Sequence, residues 1–180
     1  MNVLSTGFKD LFVFEPKVHG DSRGYFMESY NQQTLLRSGI DIPFVQDNQS
    51  KSARGVLRGL HFQRAPHAQT KLVRALSGSV LDVVVDLRRA EPTFGKHFSI
   101  ELSGENKKQL LVPKGFAHGF LVLSETAEVF YKCDEFYNPQ SDGGIHYRSV
   151  GIDWKFSDGE LILSEKDKNL PPITSANFQF

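Results

Sequence analysis

The sequence predicts an all-β protein, built as either a sandwich or a barrel. Fifteen glycines and eight prolines divide the 180 residues into short runs rich in Val, Ile, Phe and Tyr. Runs of that composition between turn residues are typical of strands, and their close spacing is typical of sandwiches and barrels. Because the length is near the ~150 residues of an average domain, we expect a single domain over residues 1–180.

Ten runs are predicted to form strands, and they cover residues 11–15, 24–30, 44–50, 56–63, 70–76, 80–87, 97–102, 109–112, 119–123 and 128–133. Only residues 31–38 have a clear helical pattern, because polar residues open the run and Gly39 lies just past its end. A second short helix is expected at residues 165–168. The stretch that begins at Asp153 has few strand signals, and we expect it to wrap around the main body.

Charge and cysteine content argue against several classes of protein. Twenty-one Lys and Arg balance 21 Asp and Glu, which disfavours binding to nucleic acid or to a membrane surface through positive charge. The single cysteine, Cys133, permits neither an internal disulfide nor a cysteine-based zinc site. The first residues do not resemble a signal peptide, and no run approaches the roughly 20 apolar residues of a membrane span. A cytoplasmic location is therefore expected.

Common catalytic motifs are absent from the sequence. It contains no Gly-x-Gly-x-x-Gly, no Walker-type phosphate loop, no His-Glu-x-x-His and no Gly-x-Ser-x-Gly. These absences argue against nucleotide-dependent redox chemistry, phosphoryl transfer, zinc proteolysis and hydrolysis by a serine nucleophile.

Some predicted strands carry polar residues on faces that should be buried. In the strand at residues 80–87, Asp82 and Asp86 alternate with Val80 and Val84. A plain sandwich would expose that face to water, whereas a barrel with a polar cavity would use it to line a ligand site.

Two further strands place a single polar residue among apolar ones. Lys71 shares its face with Val73 and Ala75, and Tyr131 shares its face with Val129. Each is either a residue at the end of a strand or part of a site, and alternation alone does not separate these alternatives.

The segment 55–63, followed by Lys71, carries groups suited to removing a proton beside a carbonyl. His61 is a base that titrates near neutral pH, Lys71 can stabilise negative charge on oxygen, and Arg58 can clamp an anion. A histidine taken alone is more often a partly buried strand residue. Strict alternation also puts Arg58 and His61 on opposite faces, so they converge only if Gly59 introduces a bulge or if Arg58 precedes the ladder.

Motifs along nearly the whole chain match one family in their order. They lie at residues 15–18, 20–30, 44–48, 55–63, 71–74, 82–88, 92–95, 113–120, 131–132 and 163–167. Together they resemble the dTDP-4-dehydrorhamnose 3,5-epimerase family of the cupin superfamily. The resemblance implies a double-stranded β-helix, or jelly roll, with a few short helices, and a homodimer in which N-terminal strands cross to the partner subunit.

The resemblance also implies an activity that needs neither a metal nor another cofactor. The substrate would be dTDP-4-dehydro-6-deoxy-D-glucose, inverted at C3 and C5 to give dTDP-4-dehydro-L-rhamnose for dTDP-L-rhamnose and a cell-surface polysaccharide such as lipopolysaccharide. His61 would be the general base, Asp167 its carboxylate partner, Lys71 the stabiliser of the enolate and Tyr131 the general acid.

The family pattern marks further residues as ligands of the substrate. They are Arg23, Glu28, Gln46, Asn48, Arg58, His118, Asp142 and Lys166. Arg23 and Arg58 match the contacts to the diphosphate, where planar guanidinium groups suit phosphate oxygens. For His118, Asp142 and Lys166, a turn or surface position without function is a competing interpretation. The sequence does not decide between Phe26 and Tyr137 as the ring that stacks on the base.

Four alternatives compete with a double epimerase of the dTDP sugar, and one of them is a different sugar on the nucleotide or UDP in place of dTDP. A metal-dependent cupin would need a His-x-His pair, but Gln63 stands where the second histidine would be. A jelly roll that only binds nucleotide sugars would not need His61, Lys71, Tyr131 and Asp167 together. An enzyme that inverts C3 alone or C5 alone would share the base and the fold.

Overall fold

The structure, a computed structural model that describes residues 1–180, consists mainly of short strands. The strands are β1 (Asn2–Ser5), β2 (Phe12–Glu15), β3 (Val18–Asp21), β4 (Gly24–Met27), β5 (Gln46–Ala53), β6 (Leu57–Gln63), β7 (Lys71–Ser77), β8 (Ser79–Asp86), β9 (His97–Ser103), β10 (Gln109–Val112), β11 (Phe116–Val122), β12 (Thr126–Cys133) and β13 (Asp142–Gly144). The helices are α1 (Gln32–Arg37), α2 (Glu165–Lys168) and a 3₁₀ turn at Asp158–Glu160. No helix has the length and hydropathy needed to cross a membrane.

Two antiparallel sheets form the body of the fold. The six-stranded sheet has the order β1-β2-β10-β7-β12-β5, and the five-stranded sheet has the order β13-β6-β11-β8-β9. Strands β3 and β4 form a separate hairpin. Neighbours in each sheet are mostly distant in sequence, because the chain passes repeatedly from one sheet to the other. This architecture confirms the predicted all-β jelly roll.

The main hydrophobic core lies between the two sheets. Val73 and Val129 contribute from the six-stranded sheet, and Val84 and Phe120 contribute from the five-stranded sheet. Tyr131 packs against this core, so it points inward as the alternation on its strand predicts. The inward direction places polar side chains of both sheets around one interior space.

A second core covers the outer face of the five-stranded sheet. Leu81, Val83 and Val85 of β8 pack there with Trp154 and Phe178 from the C-terminal stretch. Both faces of β8 are therefore buried. The face that carries Asp82 is not exposed to water as in a plain sandwich, but lies inside, as in a barrel with a polar cavity. The predicted wrapping of the C-terminal stretch is confirmed.

Both predicted helices are present and are capped by their own sequences. The side chain of Asn31 accepts a hydrogen bond from the Thr34 N–H at the start of α1. The hydroxyl of Ser164 accepts one from the Asp167 N–H, at 3.1 Å, at the start of α2. Such caps satisfy backbone donors that have no partner within the helix.

Several strands differ from the prediction for physical reasons. The strand predicted at 24–30 ends at Met27, and the Glu28 carboxylate accepts a hydrogen bond from the Asn31 side chain where the chain turns into α1. Strand β13 contains two glycines and no strand-forming residue, so no propensity predicts it. It pairs with β6 because glycine allows close approach: a Cβ on Gly144 would lie 2.7 Å from the Leu60 carbonyl oxygen. The exposed strands β1 and β3 were likewise not predicted.

Candidate active site

A cavity of about 480 Å³ opens between the sheets and gathers most of the predicted catalytic and binding residues. The predicted residues that line it are Arg58, His61, Lys71, His118, Tyr131, Lys166 and Asp167. An adjoining space of about 170 Å³ shares His61, Lys71, Tyr131 and Lys166 with it and adds Asp142 and Tyr137. We refer to these two spaces together as the cleft.

Gly59 allows Arg58 and His61 to reach the same cleft. The register between β6 and β11 shifts at this point, and Gly59 has a φ of +124°. A Cβ on Gly59 would lie 2.6 Å from the Gly119 Cα, so the two strands can approach only because both residues are glycines. Of the two alternatives that the sequence left open, the structure shows the bulge at Gly59, because Arg58 lies within β6 and not before the ladder.

His61 and Asp167 form a hydrogen-bonded pair. The Nε2 of His61 lies 2.6 Å from Oδ1 of Asp167, and the backbone N–H of Gly59 donates to the other carboxylate oxygen at 3.4 Å. The Asp167 side chain is 5% exposed, whereas His61 is 31% exposed at the cleft. The carboxylate therefore fixes the imidazole with Nε2–H directed at itself and leaves Nδ1 without a partner in the protein.

The surroundings of Asp167 favour its ionised form. Burial opposes ionisation, but hydrogen bonds from His61 and Gly59 outweigh it, and the pKa of Asp167 lies below its ordinary value. An ionised carboxylate beside Nε2 stabilises the imidazolium that forms when Nδ1 accepts a proton.

Lys71 and Tyr131 enter the cleft from the sheet opposite His61. Their strands, β7 and β12, are neighbours, and the Lys71 Nζ lies 5.7 Å from the centre of the Tyr131 ring. Burial lowers the pKa of Lys71, with the charges of Asp82 and Asp142 among those opposing the shift. Burial also raises the pKa of Tyr131, so its hydroxyl stays protonated at neutral pH.

His118 is held by a buried carboxylate that the prediction of site residues had missed. Its Nε2 lies 2.9 and 3.0 Å from the two oxygens of Asp82, whose side chain is completely buried. The alternation of Asp82 with Val80 and Val84 was the available signal, but it did not identify the partner.

Polar side chains of β5 line up beside the cleft. Residues 46, 48, 50 and 52 point inward while those between them are exposed. Gln46 donates to Asn48 at 3.1 Å, and Ser52 accepts from the Nε of Arg58 at 3.1 Å. Sequence reasoning identified Gln46 and Asn48, whereas the same period of two would also have indicated Ser50 and Ser52.

Four predicted ligands do not line the cleft of their own chain: Gln46 and Asn48 lie beside it on β5, whereas Arg23 and Glu28 lie on or next to the β3–β4 hairpin. Arg23 is on the β3–β4 hairpin, where it pairs with Asp21, and its side chain is 87% exposed. Glu28 follows the hairpin and contacts Asn31. Phe26, also on the hairpin, is 71% exposed.

The position that distinguishes metal-binding cupins holds a structural glutamine. Gln63 donates to the carbonyls of His67 and Phe136 and accepts from the Asn138 N–H. Its side chain is thus occupied in holding two loops. No group of three or more His, Cys, Asp or Glu side chains is placed to hold a metal ion.

The cleft therefore combines a base, a buried cation and a protonated phenol, with arginine at the rim. The base comes from one sheet, and the cation and the phenol come from the other. A flat substrate held between the sheets would have proton-transfer groups on both of its faces, the arrangement that inversion of a carbon beside a carbonyl requires.

Comparisons with known proteins agree with this chemistry. Residues 5–175 match the family model described as dTDP-4-dehydrorhamnose 3,5-epimerase. The enzyme of that name from Shigella flexneri is 50% identical over 181 residues, covering 99% of each chain. A Legionella pneumophila dTDP-6-deoxy-D-glucose-3,5-epimerase, solved in complex with dTDP-4-keto-L-rhamnose, is 46% identical with a TM-score of 0.92, covering 97% of this chain and 93% of that one.

A relative with narrower activity has the same fold. The 3′-monoepimerase from Streptomyces bikiniensis, solved in complex with dTDP-quinovose, is 31% identical with a TM-score of 0.90. The alignment covers 96% of this chain and 88% of that one.

Proposed function

The chain belongs to the dTDP-4-dehydrorhamnose 3,5-epimerase family, and we propose that it inverts C3 and C5 of dTDP-4-dehydro-6-deoxy-D-glucose to give dTDP-4-dehydro-L-rhamnose. The observation that carries the proposal is the placement of His61 on one sheet and of Lys71 and Tyr131 on the other, around one cleft. Residues 1–180 then act as a single cupin-like epimerase domain, since both sheets supply catalytic groups.

His61 removes the proton from the carbon beside the C4 ketone. Its Nδ1 accepts the proton, while Asp167 holds Nε2–H and balances the positive charge on the ring. The C–H bonding electrons move into the ring to form an enolate, and the negative charge develops on the C4 oxygen.

Lys71 stabilises that oxygen. Its ammonium group is desolvated in the cleft, where an interaction between opposite charges is stronger than in water. The lowered pKa of Lys71 also eases sharing of its proton with the enolate oxygen, and the proton stays with the lysine when the ketone re-forms.

Tyr131 returns a proton to the opposite face of the carbon. Its hydroxyl is protonated at neutral pH because burial raises its pKa. The same pair of groups serves C3 and C5, because these carbons flank the same ketone. Between the two inversions the His61 imidazolium releases its proton to solvent and the Tyr131 phenolate takes one up, so that each inversion starts from a neutral base and a protonated phenol. Arg58 at the exposed rim binds the diphosphate, and Gln46, Asn48, His118, Asp142 and Lys166 surround the sugar and nucleotide.

An enzyme restricted to one carbon is the nearest alternative function. The 3′-monoepimerase shares the fold, so the fold alone does not select between them. The higher identity to the relatives named 3,5-epimerase supports inversion at both carbons.

Proton NMR of the wild-type reaction in D₂O tests the proposal. We expect deuterium at both C3 and C5 of dTDP-4-dehydro-6-deoxy-D-glucose and inverted configuration at both. Deuterium and inversion at one carbon would establish a monoepimerase, and no exchange at either carbon would overturn the enzymatic proposal.

We further propose a homodimer in which the β3–β4 hairpin of each subunit completes the cleft of the other. The hairpin is exposed from Val18 to Phe26 and carries Tyr25 and Phe26 as large exposed side chains. Exposed apolar surface of this kind marks an interaction site. The positions of Arg23 and Glu28 outside their own cleft support their acting in the partner's.

Mixing two inactive variants tests this exchange. A dimer of one His61→Ala subunit and one Arg23→Ala subunit contains one cleft with both native residues. We expect mixing to restore up to half of the wild-type activity per mixed dimer. Absence of recovery, with mixed dimers confirmed by mass spectrometry, would contradict the exchange, as would a monomer in light scattering.

A further inference from the structure

Asp82 and His118 form a second buried histidine–carboxylate pair beside the catalytic one. Asp82 lies on β8 and His118 on the neighbouring β11, where they are diagonal neighbours across the ladder. The Nε2 of His118 lies within 3.0 Å of both carboxylate oxygens, and His118 is the sole hydrogen-bond partner of the Asp82 side chain. His118 also lines the cleft, next to His61, its register partner on β6.

We propose that Asp82 is a positioning residue, which holds His118 as the neutral Nε2–H tautomer and so presents Nδ1 to the substrate as a hydrogen-bond acceptor. The natural donor is a hydroxyl of the hexose ring. This inference rests on the proposed function for the nature of the ligand, whereas the geometry of the pair stands independently of it.

The neutral tautomer gives the two histidines different tasks. His61 is 31% exposed and can receive a proton from a substrate carbon, whereas the His118 side chain is 7% exposed and sits deeper in the cleft. A fixed acceptor at that depth selects a ring that carries a hydroxyl there, because a ligand without that donor would leave Nδ1 unpaired on binding.

Nitrogen-15 NMR of the histidine side chains tests the tautomer without any substrate. A His118→Gln variant assigns the resonances, and we expect wild-type His118 to show a protonated Nε2 and an unprotonated Nδ1 at pH 7. A protonated Nδ1, in either the neutral or the charged ring, would overturn the proposal.

Asp82→Asn tests the role of the carboxylate. The amide can donate to Nε2 and drive the proton to Nδ1, so we expect the reversed tautomer and a loss of kcat/KM of roughly 10- to 100-fold. Asp86→Asn is the matched control, because Asp86 is equally buried on the same face of β8 but binds Arg88 and Thr93. It should leave the His118 tautomer unchanged. An unchanged tautomer in Asp82→Asn would contradict the positioning role, while a wild-type enzyme that fails to exchange substrate protons would contradict only the proposed function.

Discussion

Replacing Asp167 with asparagine isolates the contribution of the carboxylate behind the base. The change keeps the size of the side chain and leaves the Asp167 N–H on the Ser164 hydroxyl. It replaces the ionised carboxylate, whose Oδ1 lies 2.6 Å from His61 Nε2, with a neutral amide that carries an NH₂ donor. Because an amide N–H would donate to Nε2, the ring proton is driven to Nδ1, where the base must be free.

The size of the effect follows from these two losses. A hydrogen bond to a charged group contributes roughly 1.5–3 kcal/mol, which corresponds to about 10- to 150-fold in rate. The wrong tautomer reduces activity further, so we expect kcat to fall about 10²- to 10⁴-fold. Asp153→Asn is the control, since Asp153 is exposed and pairs only with Lys155. Deuterium exchange at C3 and C5 is the assay, and a wild-type exchange rate in Asp167→Asn would refute the assignment of the pair.

The stability difference between wild type and Asp167→Asn should depend on pH. The pKa of Asp167 is lowered in the folded protein, so its carboxylate stabilises the fold above the ordinary carboxyl pKa of about 3.9. This stabilisation is lost as the pH falls through the folded-state pKa. Urea unfolding should therefore show wild type more stable than Asp167→Asn at pH 6, with the difference shrinking below about pH 4. A difference that grows on acidification would contradict the direction of the shift.

Three further predictions concern the opposite sheet and the strand contact. Tyr131→Phe should leave proton exchange by His61 partly intact while inversion falls about 10²- to 10⁴-fold, as followed by NMR; equal loss of both would contradict the general-acid role. Lys71→Met should lower kcat at both carbons about 10²- to 10³-fold, because it removes the cation that stabilises the enolate oxygen. Tm should not fall, because burial of that cation is unfavourable in the native protein. A reduced Tm with normal kcat would show that Lys71 has a structural role. Gly119→Ala places a Cβ 2.6 Å from the Arg58 carbonyl oxygen and should lower the unfolding free energy by about 1–3 kcal/mol. Gly159→Ala, which has open space around it, is the control and should not lower it. Equal denaturation midpoints for the two variants would contradict the close contact.

The body of the fold was predictable because its signals are local. Alternation of apolar residues in β7, β8 and β12 indicated both the strands and the inward direction of Lys71 and Tyr131. The two helices were predictable from Asn31 and from the short polar run at residues 165–168, whose caps the structure shows. In contrast, β13 forms through pairing with β6, a contact between distant parts of the chain that propensity does not encode.

The types of residue in the candidate site were predictable from the sequence, but which side chains hydrogen-bond to one another was less so. The sequence identified His61 and Asp167 through family resemblance. Alternation indicated that Arg58 and His61 converge only through a bulge at Gly59 or an Arg58 that precedes the ladder. The pairing of Asp82 with His118 depends on the register between β8 and β11, and that register follows from the global topology. Sequence patterns alone could therefore mark Asp82 as a buried polar residue without naming its partner.

The deuterium content of C3 and C5 after incubation with His61→Ala in D₂O shows directly whether His61 is the base at both carbons. His97→Ala, a histidine substitution on β9 outside the cleft, is the control. We expect His61→Ala to lose exchange at both carbons by at least about 10²-fold, while the control exchanges at the wild-type rate. Wild-type exchange at either carbon in His61→Ala would show that another group removes that proton.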